Sequence, residues 1–243
     1  MLRIILLGYG KMGQAVENAA LARGHEIVAR LDRDDLDQLA ELGPAQADVV
    51  VEFTQPDAFM DNLRRVMAQG LPMVTGTTGW LEALPQAREI VAAASGGLLY
   101  SSNFSVGVNV LFALNRRLAQ LMNAYPEYDC FVEERHHRHK ADAPSGTARS
   151  LADQILTGLD RKTHLAGPDL MQRAPRPEEL SVGFVRSGEI RGTHQVTYTS
   201  EVDTLTISHT AHSRAGFAQG AVVAAEWLPG RVGVHDFADL FVE

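Results

Sequence analysis

The chain has 243 residues, and its hydrophobic fraction of 45% and charged fraction of 21% lie in the range of globular proteins, which excludes a disordered or fibrous protein. Its formal net charge of −8 argues against a general nucleic-acid binder or a protein that binds anionic membranes, since both need a cationic surface. No apolar run approaches the ~20 residues that span a bilayer, and the single cysteine, Cys130, excludes an intrachain disulfide and favours the reducing cytoplasm.

Short apolar blocks alternate with helix-period segments through the first hundred residues. The blocks at 3–7, 26–31, 49–53, 73–75 and 98–101 predict buried strands, and the segments at 14–22, 57–69 and 81–94 predict helices. Strands that are apolar on both faces and alternate with helices are typical of a doubly wound parallel sheet. The fold class predicted for this part is therefore Rossmann-like α/β.

After Asn103 the pattern changes. Residues 108–125 and 145–158 predict helices, 161–179 a surface loop, and 128–134, 180–186, 195–199 and 204–212 the strands of a mostly antiparallel sheet. The small apolar helix predicted at 215–227 suits packing against the first domain. We therefore predict a dinucleotide-binding domain of residues 1–104 plus 214–243, with an inserted α+β domain, residues 105–213, for substrate binding and oligomerisation.

A glycine loop follows the first predicted strand. Gly8, Gly10 and Gly13 have the Gly-x-Gly-x-x-Gly spacing, which permits a sharp turn, close approach of the backbone to a pyrophosphate and close packing of the next helix. Asp32, at the end of the second strand, suits the adenosine ribose of NADH, whereas the adjacent Arg33 suits the additional phosphate of NADPH. The pattern predicts a dinucleotide site and leaves the choice between NADH and NADPH open.

Two more loops, at 75–79 and 101–104, come directly after predicted strands. The carboxyl ends of parallel strands form the edge at which open α/β folds bind ligands. We expect the small residues of the first loop to permit close approach to a nicotinamide. We expect the second loop to line a cleft between the domains.

Three histidines and a lysine lie between His136 and Lys140. If this run is extended, alternate side chains point to opposite sides, so some of them face away from any one ligand. A metal site is the rival interpretation. The lone cysteine, the neighbouring Arg138 and the lack of a second ligand cluster disfavour a bound cation, so no metal is predicted.

Residues 142–148 predict a turn into a helix, whose first backbone N–H groups lack acceptors within the helix. These N–H groups and the hydroxyls of Ser145 and Thr147 can hold a carboxylate or phosphate at the positive end of the helix dipole. Because Lys140 is near in sequence, we predict an anion pocket beside proton donors.

At these residues the chain resembles the 4-hydroxy-tetrahydrodipicolinate (dihydrodipicolinate) reductases of bacterial lysine and diaminopimelate biosynthesis. The run from His136 to Lys140 and the segment from Pro144 to Ala148 fit that family's signature. The glycine loop is one residue shorter than the commonest family form, and the segment after Asp32 is trimmed. Further family-like segments lie at 76–79, 103–107, 192–196 and 213–221.

The resemblance implies reduction of a small cyclic dicarboxylate by NADH or NADPH, in a homotetramer. It implies that His136 and Lys140 are catalytic and that His137, Gly146 and Thr147 bind substrate. The implied cofactor contacts are Gly8, Tyr9, Gly10, Lys11, Met12, Gly13, Asp32, Arg33, Gly76, Thr77, Thr78, Ser101, Ser102, Asn103 and Phe104.

Two rival functions share the cofactor end of the chain. Another Rossmann imine or amino-acid oxidoreductase would have the dinucleotide site without the histidine-to-helix signature. A non-catalytic NAD(P)H-binding regulatory protein would need only the cofactor site, and the joint presence of His136, Lys140, Gly146 and Thr147 argues against it. The residues leave open which of His136 and Lys140 makes the final proton transfer and whether the protein assists loss of water from a hydroxylated substrate.

Overall fold

A computed structural model describes residues 1–167, 172–213 and 215–241. They divide into two compact units. Unit 1 comprises Met1–Val106 with 215–241, and unit 2 comprises the described residues of Gly107–Ser213. Arg214, where the predicted second domain ends, and Pro168 of the predicted loop lie outside the described residues, as do 242–243. None of the helices in the described ranges has the length and apolarity that crossing a bilayer requires.

The predicted elements alternate as the sequence pattern indicates, and the strands Arg3–Leu7, Glu26–Leu31 and Met73–Thr75 and the helix Ala215–Trp227 have the predicted bounds. The other predicted elements differ by up to three residues at an end. In chain order the described elements are β1 (Arg3–Leu7), α1 (Lys11–Ala22), β2 (Glu26–Leu31), β3 (Val49–Glu52), α2 (Pro56–Ala68), β4 (Met73–Thr75), α3 (Leu84–Ala93), β5 (Gly97–Tyr100), α4 (Val106–Met122), β6 (Asp129–His136), α5 (Gly146–Gly158), β7 (His164–Leu165), β8 (Glu179–Arg186), β9 (Thr193–Thr199), β10 (Thr204–Thr210), α6 (Ala215–Trp227) and β11 (Gly233–Asp236), with short 3-10 helices at Leu36–Glu41, Leu81–Ala83 and Phe237–Phe241.

Unit 1 is built on a six-stranded sheet in the order β11-β5-β4-β3-β1-β2. All of its pairings are parallel. The strand order reverses at β1, which has β2 on one side and β3 on the other. Open α/β sheets bind ligands beyond the carboxyl ends of the strands at such a reversal. A ligand site is therefore expected at the loops after β1 and β3.

Both faces of this sheet are covered, which explains why its strands are continuous apolar runs. In β1, Ile4 and Leu6 point to one face and Ile5 and Leu7 to the other, and all four are buried. Helices α1 and α6 supply apolar side chains to the first face, and α2 and α3 to the second. The predicted doubly wound α/β fold is confirmed, including the return of α6 to the first part of the chain.

Unit 2 contains a five-stranded sheet in the order β10-β9-β6-β8-β7, with α4 and α5 packed on it. The sheet is mixed, so the prediction of a mostly antiparallel sheet holds only in part. The β6–β9 and β9–β10 pairs are antiparallel, but the β6–β8 and β7–β8 pairs are parallel. The chain between β6 and β8 carries α5, and a crossover that contains a helix returns a strand parallel to its neighbour.

Two strands of the structure are not predicted by the sequence pattern. β7 has two residues and lies inside the predicted surface loop, and β11 has four residues after α6. Both are too short to give a period-2 signal, and they are formed by pairing with β8 and β5. The histidine run is extended only at its first residue, because β6 ends at His136 and Lys140 N donates to His137 O across a turn.

Candidate active site

The glycine loop between β1 and α1 is shaped by close backbone contacts. Gly8 has a φ of +92°, and a Cβ atom there would lie 2.1 Å from Phe53 O. A Cβ at Gly13 would lie 2.3 Å from Gly8 O, whereas one at Gly10 would meet nothing within 4 Å. Helix α1 has Gly10 as its N-cap and no side-chain cap. Its first N–H groups are thus open to an anion, as a pyrophosphate requires.

A cavity of about 520 Å³ opens beside this loop. Gly8, Gly10, Asp32 and Arg33 line it, together with residues at the end of β3 and on α2, among them Arg65. Asp32 is exposed, and its Oδ1 accepts a hydrogen bond from Tyr9 N at 3.3 Å. The cavity therefore combines the carboxylates of Asp32, Asp57 and Asp61 with the guanidinium groups of Arg33 and Arg65. The glycine loop, Asp32 and Arg33 lie where the sequence predicts the adenosine ribose and fit a dinucleotide.

Glu52, at the end of β3, is fully buried and binds the loop that follows β4. Its Oε2 accepts from the Thr75 hydroxyl at 2.5 Å, and its Oε1 accepts from the Thr77 hydroxyl at 3.0 Å. Thr54 donates to Oε1 through both its N–H and its hydroxyl. The hydroxyl of Thr77 points inward, its N–H donates to Thr75 Oγ1 at 3.2 Å, and its C=O accepts from Trp80 Nε1 at 2.8 Å. The polar groups of Thr77 are thus engaged within the protein, while Thr78 is exposed.

The loop after β5 contains the predicted contacts at 101–104. Ser101 is buried, and its hydroxyl bonds to Asn103 O and accepts from Asn103 N, both at 3.0 Å. Ser102 is exposed. Phe104 is 2% exposed, with ring centroids 6.1 Å from Phe53 and 5.0 Å from Phe237. The side chain of Phe104 is thus part of the unit 1 core, which leaves its backbone for a cofactor contact.

In unit 2, β6 places Glu134 and His136 on one face, as the two-residue period of a strand requires. Glu134 is fully buried. Its Oε1 accepts from Arg186 Nη2 at 2.6 Å and from Ser145 N at 3.1 Å. Its Oε2 lies 3.3 Å from His136 Nε2 and 3.6 Å from His194 Nε2. The carboxylate thus joins β6, β8, β9 and the start of α5.

The two histidines of this cluster contact each other through Nε2. His136 Nε2 and His194 Nε2 are 3.2 Å apart, and both side chains are buried. His194 Nε2 also lies 3.1 Å from Ser145 Oγ, which caps α5 by accepting from Ala148 N at 3.2 Å. The N-terminal end of α5 is therefore tied directly to the histidine pair.

Burial and charge determine the protonation of this cluster. Burial raises the pKa of Glu134, but hydrogen bonds from His194, Ser145 and Arg186 outweigh that effect and hold the pKa well below the ordinary value. Burial lowers the pKa of His136; the charge of Glu134 opposes this, whereas His194, Lys140 and Arg186 add to it. At neutral pH Glu134 is therefore ionised and His136 is neutral.

Glu134, His136 and His194 lie close enough together to hold a metal ion, with ligand atoms within 4.8 Å of one another. The sequence argument that a second ligand group is missing is thus wrong, because Glu134 and His194 supply one. Two features disfavour a cation. Arg186 already pairs with the carboxylate, and Nδ1 of His194 is buried with no hydrogen-bond partner among the described residues, whereas a metal-bound histidine usually donates its other N–H. The absence of a metal remains a prediction.

The start of α5 agrees in part with the predicted anion pocket. The N–H of Ser145 donates to Glu134, and its hydroxyl is engaged by Ala148 and His194, so the expectation that this hydroxyl holds a ligand is wrong. Gly146 faces open space, and no bond from its N–H or from that of Thr147 is found within the described ranges. Of the residues predicted to form the anion pocket at the start of α5, Gly146 and Thr147 therefore remain available to a ligand.

Lys140 and His137 lie in the turn between β6 and α5. Lys140 Nζ is 2.7 Å from Asp142 Oδ1, and the side chain of Lys140 is 22% exposed. Its hydrogen bond lowers the pKa of Asp142. Nδ1 of His137 is buried and has no hydrogen-bond partner in the described part of the chain. The ammonium group is thus paired and still accessible.

Sequence reasoning missed four residues of these clusters: Glu52, Glu134, Arg186 and His194. A signal existed for Glu134, because it precedes His136 by two residues in a predicted strand and so shares its face. His194 lies in one of the family-like segments. For Glu52 and Arg186 the sequence offers no signal, since each is a charged residue at the end of a strand.

Comparison with known proteins covers both units. The family profile "Dihydrodipicolinate reductase, N-terminus" matches residues 2–104, and "Dihydrodipicolinate reductase, C-terminus" matches residues 107–241. The chain is 42% identical to a 4-hydroxy-tetrahydrodipicolinate reductase of Christiangramia forsetii, covering 98% of this chain and 97% of that one. It is 40% identical to a reductase of the same name from Akkermansia muciniphila, covering 99% and 98%.

A similar fold occurs in a solved structure. A dipicolinate-bound dihydrodipicolinate reductase from Paenisporosarcina sp. TG-14 superposes with a TM-score of 0.76 and 23% identity, and the match covers 100% of both chains. At this identity the likeness concerns the fold.

Proposed function

Because the chain belongs to the dihydrodipicolinate reductase family, we propose that it reduces 4-hydroxy-tetrahydrodipicolinate to tetrahydrodipicolinate with NADH or NADPH, in lysine and diaminopimelate biosynthesis. The observation that carries this proposal is the arrangement in unit 2, where a buried histidine, a lysine and the open start of a helix lie together. A cofactor-binding regulatory protein would have no use for this arrangement.

The residues of unit 1 bind the cofactor. A bound NAD(P)H supplies the hydride. The N–H groups at the start of α1 hold the pyrophosphate, Asp32 accepts from the ribose hydroxyls, and Arg33 suits the phosphate that distinguishes NADPH. The loops at 76–78 and 101–104 contact the nicotinamide end through small side chains and backbone.

The residues of unit 2 bind the substrate. The N–H groups of Gly146 and Thr147 hold one ring carboxylate at the positive end of the α5 dipole. Lys140 lies in the adjoining turn and adds a full positive charge. His137 orients the ring from the same turn.

Hydride addition to the unsaturated ring leaves electron density that a proton must neutralise. Lys140 can donate that proton directly, and its charge stabilises the negative charge that develops on the ring. Burial lowers the pKa of His136, so its ring is neutral at neutral pH and can accept a proton and return it in the same step. Both residues are therefore assigned to proton transfer.

The function is tested by substrate profiling of the purified full-length chain. NADH and NADPH oxidation is followed at 340 nm with freshly generated ring substrate and, in parallel, with imines and amino-keto acids. We expect turnover with the ring substrate alone. Turnover that is faster with an acyclic imine, or cofactor binding without any turnover, would replace the proposal by one of the two rival functions.

We further propose that the protein is a cytoplasmic homotetramer. The single cysteine is compatible with a reducing compartment. Large apolar side chains are exposed on the unit 2 sheet, where Phe184 is 54%, Val185 43% and Leu205 44% exposed, and a second copy of the chain would bury them. Light scattering that returns the mass of a monomer would contradict the tetramer.

A further inference from the structure

Arg186 connects the buried carboxylate of Glu134 to the backbone of the turn that leads from β6 into α5. Its Nη2 donates to Glu134 Oε1 and to Asp142 O, each at 2.6 Å. Its Nη1 donates to Val185 O at 3.0 Å, and the guanidinium lies over the ring of Phe184, with Cζ 5.3 Å from the centroid. No step of the proposed reaction uses Arg186.

The turn before α5 depends on side chains for its shape. In the described part of the chain, segment 141–144 makes no hydrogen bond between main-chain atoms. At the beginning of the turn, Asp142 O accepts from Arg186. At its end, Ser145 N donates at 3.1 Å to Glu134 Oε1, the same oxygen that accepts from Arg186. One nitrogen and one oxygen therefore hold both ends of the turn.

One more side chain contacts this turn. Arg149 Nε donates to Pro144 O at 3.2 Å. Because Arg149 lies on α5 itself, this bond fixes the turn relative to the helix and not relative to the sheet. Arg186 and Glu134 lie on the paired strands β8 and β6, so they connect the turn to the rigid sheet of unit 2.

The groups proposed to bind the ring dicarboxylate lie on the two sides of this turn. Lys140 precedes it, and its Nζ is 2.7 Å from Asp142 Oδ1. Gly146 and Thr147 follow it, directly after Ser145. Lys140 is thus held through Asp142, and the open N–H groups at the start of α5 are held through Ser145. The distance between the ammonium group and these N–H groups therefore depends on how the ends of the turn are held.

The charge of Arg186 matters as well as its hydrogen bonds. Glu134 is ionised and fully buried, and it touches the residue that precedes the proposed carboxylate site. An unpaired anion at this place would repel an anionic ligand through a medium of low dielectric constant. The guanidinium pairs with it at 2.6 Å, so the start of α5 stays favourable for a carboxylate.

We propose that Arg186 and Glu134 form a clamp that fixes the turn before α5 and thereby sets the separation between the Lys140 ammonium and the helix start for a rigid ring dicarboxylate. Both are positioning residues, because they act on the ligand through Asp142 and Ser145. A rigid ring carries its carboxylates at a fixed spacing, so a small displacement of one binding group costs affinity. The inference rests on the proposed function for the identity of the ligand, whereas the clamp itself does not depend on turnover.

Hydrogen–deuterium exchange of the full-length protein without ligand, followed by mass spectrometry, tests the clamp. Arg186→Met removes both bonds and keeps an apolar stem. We expect faster exchange in peptides that cover 140–148 and no change in unit 1. Arg23→Met is the matched control, because Arg23 donates twice to Glu226 in unit 1. Wild-type exchange at 140–148 in folded Arg186→Met would overturn the inference even if the reductase activity is established.

Calorimetry with pyridine-2,6-dicarboxylate, a flat and stable ring dicarboxylate, tests the consequence for binding. We expect Arg186→Met to raise its Kd about tenfold, with KM for NADH within about twofold, and Arg23→Met to change neither. In the Lys140→Ala background the same substitution should raise Kd by a smaller factor, since one of the two positioned groups is already absent. General destabilisation would give equal factors in both backgrounds. Equal factors, or an unchanged Kd, would overturn the positioning role.

Arg186→Lys decides the matter if Arg186→Met does not fold. It keeps the positive charge beside Glu134, but its stem is one atom shorter and cannot reach both acceptors as the guanidinium does. We expect a several-fold rise in Kd and faster exchange at 140–148, and wild-type values of both would overturn the inference. Failure of the proposed function would appear differently, as a wild-type protein that shows the clamp in exchange but does not bind the dicarboxylate or does not reduce the ring substrate.

Discussion

The Glu52 carboxylate and the Thr77 hydroxyl form a buried 3.0 Å hydrogen bond across 25 residues of sequence. The bond joins the end of β3 to the loop that follows β4. Thr75 and Thr54 donate to the same carboxylate. The shape of the predicted nicotinamide loop is therefore determined by a side chain that no sequence motif marks.

Glu52→Gln should loosen this loop. The amide replaces one acceptor oxygen by an NH2 group, so at least one threonine hydroxyl must reorient or lose its partner, at a cost of about 1–3 kcal/mol. We expect a lower free energy of unfolding in urea and a several-fold higher Kd for NADH, measured by fluorescence titration. Glu82→Gln, on an exposed glutamate, is the control. An unaltered Kd would show that the loop does not depend on Glu52.

Lys140→Ala and His136→Gln test the assignment of proton transfer to these two residues. General acid–base groups contribute about 10²–10⁴-fold to rate, so we expect kcat to fall within that range for at least one variant, with the circular dichroism spectrum unchanged. His139→Gln is the control, because His139 has an exposed side chain in the same run. Full turnover in both folded variants would contradict the assignment.

Thr147→Val should weaken substrate binding. The hydroxyl is lost at the start of α5, where the ring carboxylate is proposed to bind, while the buried cap formed by Ser145 is untouched. We expect KM for the ring substrate to rise about tenfold, as for a lost hydrogen bond to a charged group, with little change in kcat or melting temperature. An unchanged KM would show that the Thr147 hydroxyl does not contact the ring carboxylate.

Arg33→Ala should separate the two cofactors. Arg33 lines the cavity beside Asp32, and its guanidinium can pair with the additional phosphate of NADPH but has no such partner on NADH. We expect kcat/KM to fall for NADPH and to stay the same for NADH, whereas Asp32→Asn should affect NADH more. Equal losses of kcat/KM for both cofactors would show that Arg33 does not bind the additional phosphate of NADPH.

The stability contributed by Glu134 should depend on pH. The folded state holds the pKa of this group below its ordinary value, so the unfolded chain binds its proton first as the pH falls. The stabilisation is fully present above the unfolded pKa and is lost as the pH falls through the folded one. We expect the difference in urea midpoint between wild type and Glu134→Gln to stay constant from neutral pH to about pH 5 and to shrink below about pH 4. A difference that stays constant below about pH 4 as well would show that the carboxylate is not ionised in the fold.

The parts of the fold that local pattern encodes were predictable. The apolar runs of β1 and β4 and the small-residue helix α6 have their predicted bounds because burial on two faces or one leaves a direct trace in the sequence. The parallel pairing of β6 with β8 and the strands β7 and β11 were not predictable from local pattern, since strand pairing depends on partners far along the chain. The same holds for the histidine cluster, which needs Glu134, Arg186 and His194 from three strands.

The sequence by itself determined the class of fold, the glycine loop and the residue types available for proton transfer, because spacing and periodicity are local properties. The tertiary structure decided which of these groups are charged and which atoms can react. Ser145 was removed from the ligand pocket by its bonds to Glu134 and Ala148, and Nε2 of His136 was enclosed by Glu134 and His194. Protonation depends on burial and on charges brought close by folding. The local sequence pattern therefore could not predict the protonation state of these side chains.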